Sequence, residues 1–371
     1  MKKKVLFVIH DLGQGGAEKV LINLVNNLDR TKFDITVMAL FGGGVNEQFL
    51  KKDIRLLICY KSAFPGNSHL MKLFTPGQLY RHYIREHYDV VISYLEGPSA
   101  RIVSGCPDSD TKLVSWIHCT MDTLQKASRS FRTIAEAQKC YNRFDRLIFV
   151  SECVKGAFRS VCPVTTPCEV LYNTNETGKI LAASREKVEE SVFTAGEIRI
   201  CGMGKLTQNK GFDRLLRIHR KLQADGYPVH TYILGEGEER ASLEQYMEEN
   251  GISDSVTLLG YQTNPYKFVR CCDLYVCTSH TEGFSTAATE ALVVGTPVCT
   301  VEVSGMKEML GENNEWGIVT ENDEDALYEG IRHLLDDPGL LAHYREQALL
   351  RGRTFRTENT VGAVEEMLEN L

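Results

Sequence analysis

Two loops in the second half of the chain hold residue types that could grip an anionic, hydroxyl-bearing ligand. The first reads HTEGFSTAATEALVVGTPV, from His280 to Val298. Its Ala- and Leu-rich centre predicts a short helix. Ser285 or Thr286 would cap it, because a side-chain oxygen can accept a free backbone N–H. Gly295 and Pro297 would end it, since glycine tolerates the left-handed position after a helix and proline cannot continue one. Glu282 then falls just outside the helix N-terminus and Glu290 inside it. That positive end suits a carboxylate or a bound phosphate. The second loop reads CGMGKLTQNKGFDRLL. Gly204-Lys205 follows an apolar run and Lys210-Gly211 precedes a helical one. Two cations on a glycine-containing loop can clamp a diphosphate and stabilise its charge as it leaves. A solvated lysine pair is the plainer alternative.

The first half offers two weaker features. The loop from His10 to Glu18, HDLGQGGAE, follows a strand-like run and opens a helix, so Gly15 and Gly16 could let backbone N–H groups reach an anion. A dinucleotide fingerprint would need glycine where Glu18 stands, which argues against an NAD protein. His118 closes the apolar run of SWIHCT. At a strand's carboxyl end it could hydrogen-bond a substrate hydroxyl, and a structural histidine is the alternative. Two DxD sequences, Asp108-Ser109-Asp110 and Asp323-Glu324-Asp325, imitate a divalent-metal motif but sit in a polar loop and an acidic helix start. They read as surface, and no metal is expected.

A chain of 371 residues exceeds one ordinary core, so two domains are expected. Its 43% hydrophobic and 25% charged residues are those of a globular protein. No apolar run approaches the roughly 18 residues of a membrane helix. The lysine-rich start runs into Asp11 too soon for a signal peptide. The twelve cysteines are scattered without CxxC pairs, as expected of reduced thiols in a cytoplasmic protein. Charge is uneven. Residues 1–175 hold 23 Lys/Arg against 16 Asp/Glu, and the remainder 19 against 33. Basic residues cluster from Arg81 to His87 and from Lys126 to Arg146. A basic half suits an anionic partner, with an inner-leaflet membrane surface as one candidate and the protein peripheral to it. Nucleic acid is not expected, because no aromatic-basic recognition motif accompanies the charge.

Short apolar runs alternate with amphipathic ones along the whole chain. VLFVIH, ITVMAL, RLLICY, DVVISYL, KLVSWIH, RLIFVS and EVLYN read as strands of a first domain. IRICGMGKL, HTYILGEG, VTLLGY, DLYVCTS, PVCTVE and GIVT read as strands of a second. Alternation with helices predicts α/β architecture with doubly wound parallel sheets. The pattern pauses over residues 173–197, which sets expected domains at 1–175 and 176–355. In such folds ligands bind at the carboxyl ends of strands, here facing a cleft between the two Rossmann-like domains.

Taken together, these loops resemble the retaining GT-B glycosyltransferases known as glycosyl transferases group 1, or family 4. The resemblance covers nearly the whole chain. Its most specific element is Glu282, seven residues, then Glu290 and ALVVGTPV, which matches the family's E-x7-E signature. GGAEK, His118, SECVKGAF, Asn173, GKLTQNKG, GYQTNPYKFVRCCDLYVCTS and SGMKEML follow in the family's order. The resemblance implies that Glu282 bonds donor-sugar hydroxyls and Glu290 the nucleotide ribose. Lys205 and Lys210 would bind the diphosphate, with Gly204, Gly283, Phe284 and the N–H groups of Ser285, Thr286 and Ala287. Gly15 and Gly16 would approach the phosphates and acceptor, and His118 the transferred sugar. The acceptor would lie on the first domain and the donor on the second, and residues 356–371 would cross back to the first. Lys205 stands where the family often has Arg, a point charge in place of a bidentate fork. Ser285 replaces a frequent Gly or Pro, and Ser304 a frequent Gly.

The activity implied is metal-independent, retaining hexosyl transfer from a nucleotide sugar, UDP-linked by family frequency. The acceptor would be a glycan or a polyprenyl-diphosphate-linked one, in capsule or other cell-surface polysaccharide synthesis. No residue stands out as a nucleophile, so retention would pass through a short-lived oxocarbenium-like state, with the departing phosphate taking the acceptor's proton. No cofactor is expected beyond the co-substrate. A nucleotide-sugar epimerase of similar architecture and a non-catalytic nucleotide- or glycan-binding module are the rival readings.

Overall fold

The computed structural model describes residues 2–13, 15–63, 66–189 and 192–371. Each apolar run named above forms a strand. The first seven are β1 (Lys3–Ile9), β2 (Phe33–Phe41), β3 (Arg55–Tyr60), β4 (Val90–Ser93), β5 (Lys112–Ile117), β6 (Arg146–Phe149) and β7 (Cys168–Val170). They pair in parallel in the order β3-β2-β1-β4-β5-β6-β7. The other six are β8 (Ile198–Met203), β9 (Val229–Leu234), β10 (Val256–Gly260), β11 (Leu274–Cys277), β12 (Val298–Val301) and β13 (Ile318–Thr320). They form a second parallel sheet in the order β10-β9-β8-β11-β12-β13. Val5 to Ile9 are fully buried, as expected of a strand covered on both faces. In each sheet the strand order reverses beside its first strand, between β1 and β4 and between β8 and β11. Ligand sites of doubly wound sheets lie at these switch points, beyond the strands' carboxyl ends.

Two compact units divide the chain, one of residues 1–175 with 357–371 and one of residues 176–356. In the first, helix Gly16–Asn27 buries every residue from Val20 to Asn26, so it is covered on nearly all sides. Helix Thr357–Glu369 completes this unit from the far end of the sequence. Lys3 Nζ donates to the Leu368 carbonyl at 2.6 Å, the Asp29 N–H to Glu365 Oε1 at 2.6 Å, and Thr357 Oγ1 to the Asn175 carbonyl at 2.8 Å. In the second unit, helix Phe212–Ala224 buries Phe212, Leu215, Leu216, Ile218 and Leu222 against Ile233 and Val276. No helix of the described residues is long and apolar enough to cross a membrane.

Several arginines of the first unit are tied to its own carbonyls and carboxylates. Arg101, 1% exposed, pairs with Glu136 at 2.9 Å and donates to the carbonyls of Met71 and Phe74, both at 2.7 Å. Arg132 Nε donates to the Lys72 carbonyl at 2.7 Å, Arg143 to that of Cys106, and Arg146 pairs with Glu169. Arg81, Arg85, Lys126, Arg129, Arg132, Lys139 and Arg143 are exposed, so both basic clusters face solvent. The second DxD sequence is also structural. Asp323 caps the helix from Glu324 to Asp336, while Glu324 pairs with Arg217 and Asp325 with Lys221.

His219 is fully buried, with Nδ1 2.8 Å from Thr231 Oγ1 and Nε2 2.8 Å from Ser255 Oγ. Burial, aided by the charge of nearby His230, lowers its pKa to about 4. An unfolded histidine titrates near 6.5. Between those values the unfolded chain binds a proton that the folded one does not, so stability falls as pH drops through this window. The loss should reach roughly 3 kcal/mol below pH 4. Thermal melts from pH 7.5 to 4 should therefore show a falling Tm, and His219→Gln should flatten that slope.

Candidate active site

The site is built at the switch point of the second sheet. The loop after β11 runs into helix Thr286–Val294, which Ser285 caps by accepting the Ala288 N–H at 3.3 Å. Gly295 ends the helix in the left-handed conformation. Ala288 to Val294 are all buried, so the helix is fixed on nearly every side. Glu282 lies just ahead of its N-terminus, and Glu290 lies inside it.

The two loops singled out in the sequence meet here. Lys210 Nζ stands 2.6 Å from Glu282 Oε1, and Ser279 Oγ donates to the same oxygen at 2.7 Å. The side chains are 28% and 11% exposed, so the pair is largely withdrawn from water. Burial alone would lower the Lys210 pKa, but the charge and hydrogen bond of Glu282 outweigh it and hold the pKa above its ordinary value. With Met203, Phe212, Tyr275, Thr278 and Ser285, these groups line one small pocket. Gly211 permits the close approach. Its φ is +61°, and a Cβ there would stand 2.4 Å from the Thr278 carbonyl. Gly305 of the SGMKEML loop likewise has φ +79°, and a Cβ there would come within 2.9 Å of the Gly283 carbonyl.

Glu290 is 4% exposed and accepts from the Tyr266 hydroxyl at 3.3 Å. Phe284 is buried edge-on to Phe355, with ring centroids 5.7 Å apart. Thr286 opens the helix. Gly204 follows β8, and Lys205 beside it is exposed, away from the Lys210–Glu282 contact network. Sequence reasoning missed Ser279 and Tyr266. The first stands three residues before Glu282, but the second is 24 residues from Glu290 and no spacing rule connects them.

Gly15, Gly16 and His118 belong to the first unit, at its own switch point. Gly15 precedes the helix that Gly16 begins; neighbouring Gln14 lies outside the described residues. His118 follows β5, is 8% exposed, and its N–H donates to Glu96 Oε2 at 2.9 Å. Its ring packs 4.8 Å from that of Tyr94. Burial lowers its pKa to about 3, against an opposing hydrogen bond at the Tyr94 backbone. The ring is therefore neutral at physiological pH and can exchange hydrogen bonds with a hydroxyl, but cannot serve as a standing cation. Glu18, whose carboxyl pKa burial raises, and the His10–Asp11 pair at 2.6 Å share this end of the sheet and were not given roles from the sequence.

Two Rossmann-like parallel sheets, with an E-x7-E helix at the switch point of the second, define a GT-B glycosyltransferase. The model for Glycosyltransferase Family 4 matches residues 14–177 and that for Glycosyl transferases group 1 matches residues 184–351. The chain belongs to the group 1 glycosyltransferases. It is 26% identical over 365 residues, 96% of each chain, to the N-acetylgalactosamine-N,N'-diacetylbacillosaminyl-diphospho-undecaprenol 4-alpha-N-acetylgalactosaminyltransferase of Campylobacter jejuni. It is 22% identical to the amylovoran biosynthesis glycosyltransferase AmsD of Erwinia amylovora, over 88% of both. Among solved structures it resembles HepE of Anabaena in complex with UDP, with a TM-score of 0.80 at 19% identity and full coverage of both chains.

The Lys210–Glu282 pair yields a stability test. Removing one partner of a withdrawn ion pair leaves a charge without compensation, which costs more than the pair itself contributes. Lys210→Met should destabilise the protein by about 1–3 kcal/mol in urea titrations, less than a fully buried pair because both groups keep some solvent. Adding Glu282→Gln should restore most of that loss.

Proposed function

We propose that the protein transfers a sugar, with retention, from a UDP-linked donor to a glycan or polyprenyl-diphosphate-linked acceptor in cell-surface polysaccharide synthesis. The observation that carries this reading is the convergence of Lys210, Ser279 and Glu282 in one pocket ahead of a helix N-terminus, with Glu290 buried in the same helix. Glu282 takes the donor sugar's hydroxyls and Glu290 the ribose. Lys210 then exchanges part of its contact with Glu282 for the diphosphate, joined by Lys205 and by the free N–H groups of Ser285, Thr286 and Ala287. Those cations and the helix end stabilise the charge that grows on the leaving diphosphate, in place of a resident metal. The departing phosphate accepts the acceptor's proton, and neutral His118 bonds a hydroxyl. The named activities of the Campylobacter and Erwinia relatives and the UDP held by HepE support the donor and acceptor classes.

We assign the acceptor to the first unit, at the cytoplasmic face of a membrane. Arg101 and Arg132 pin the carbonyls of Met71, Lys72 and Phe74. The pinned segment leaves Leu70, Leu73 and Phe74 outward, with Leu73 72% exposed. Apolar side chains on a pinned segment, with Lys72 half-buried and Arg129 exposed, suit an anionic lipid surface.

UDP release from UDP-N-acetylgalactosamine, UDP-N-acetylglucosamine or UDP-glucose should require an added lipid-linked glycan and persist in EDTA. Glu290→Ala should reduce it more than 100-fold, and wild-type turnover in that variant would refute the assignment. Donor converted without acceptor would mark an epimerase. In flotation assays the protein should rise with phosphatidylglycerol vesicles but not with phosphatidylcholine ones, and Leu73→Glu with Phe74→Glu should abolish the difference.

A further inference from the structure

The segment between β11 and the site helix carries Ser279 and Glu282 and has no regular structure of its own. A neighbouring loop holds it. Thr278 Oγ1 donates to the Lys210 carbonyl at 2.8 Å. The His280 N–H donates to the Asn209 carbonyl at 2.8 Å. Asn209 Nδ2 donates to the Thr281 carbonyl at 3.0 Å, and Thr281 Oγ1 donates to Asn209 Oδ1 at 2.7 Å. One asparagine thus engages two successive residues through its main-chain oxygen and both side-chain amide atoms. On the other flank Arg214, 7% exposed, places Nη2 2.7 Å from His280 Nδ1. Arginine only donates, so that nitrogen is the acceptor and the ring is neutral with its proton on Nε2. Asn322 Oδ1 fixes the guanidinium from behind, at 2.9 and 3.0 Å.

None of Asn209, Arg214, His280 or Thr281 is assigned to the donor, yet Asn209 adjoins Lys210 and Thr281 adjoins Glu282. A loop ordered beforehand need not lose that freedom when ligand arrives, and small displacements of a charged group weaken it steeply. We propose that Asn209 and Arg214 are positioning residues that clamp the Glu282 loop onto the Lys210 loop, so that both charged groups meet the donor as one preset unit. This rests on the donor reading above. Because Glu290 and the helix end do not depend on the clamp, its loss should weaken the grip on the sugar more than the grip on the nucleotide.

The test compares the full-length protein with Asn209→Ala, Thr281→Val and the conservative Thr281→Ser. Asn209 and Thr281 bond at the surface, so these variants should fold; Arg214→Met is a fourth, more buried case. Hydrogen exchange of the amides of 279–283 should quicken at least ten-fold in Asn209→Ala and Thr281→Val and in neither β8 nor β11. Calorimetry should show UDP, which loses only the preset Lys210, weakened clearly less than the nucleotide sugar, which loses Glu282 as well. The tightest of UDP-glucose, UDP-N-acetylglucosamine and UDP-N-acetylgalactosamine should weaken ten-fold or more. Thr281→Ser should behave as wild type. Unchanged exchange in Asn209→Ala, or equal losses for UDP and the nucleotide sugar, would overturn the clamp while leaving the donor reading in place. A wild-type protein that binds none of the three sugars would overturn the donor reading and this assignment with it.

Discussion

The contact between the Lys210 ammonium and the Glu282 carboxylate governs the rest of the second unit's site. A cation and an anion drawn largely out of water are tolerated only where each has a partner and the partner is held still. That requirement explains what surrounds them: a hydroxyl at 2.7 Å on the same carboxylate oxygen, a glycine that lets one loop press against the carbonyl of the other, and a helix buried almost throughout its length. Each of these would be costly alone. Together they give a pair of charges at a fixed separation beside a helix end that favours anions.

Much of this was legible before any coordinates. The apolar runs became strands because the central strands of a sheet covered on both faces need a nearly unbroken apolar sequence, which is visible locally, while the edge strand β3 keeps Ile58 and Tyr60 exposed. The helix cap at Ser285 and its stop at Gly295 follow from side-chain and backbone preferences within a few residues. What stayed hidden was tertiary. That Lys210 would meet Glu282, 72 positions away, depends on how the β8 and β11 loops adjoin at the switch point. The Tyr266 hydroxyl on Glu290 has no signature in spacing. Nor does the charge count reveal that Arg101 is buried on internal carbonyls and Glu136, while the exposed Arg132 and Arg143 and the half-buried Arg146 are tied to carbonyls and a carboxylate of the same unit.

The two switch points are unlike in chemistry. In the second unit charges are paired and donors abound. In the first, the comparable place holds the His10–Asp11 pair together with a neutral imidazole, a carboxyl whose pKa burial raises and a tyrosine ring.

Helix Thr357–Glu369 has a consequence for biosynthesis. The unit of residues 176–356 is continuous in sequence and has all of its own contacts once its last residue has left the ribosome. The other unit begins earlier in the chain yet takes helix Thr357–Glu369 from residues translated after all of 176–356, with Glu365 and Leu368 meeting Asp29 and Lys3. Domains usually mature from the N-terminal end during synthesis. Here the order of completion is reversed, and a nascent chain halted after Arg356 would have one finished unit and one with an open flank.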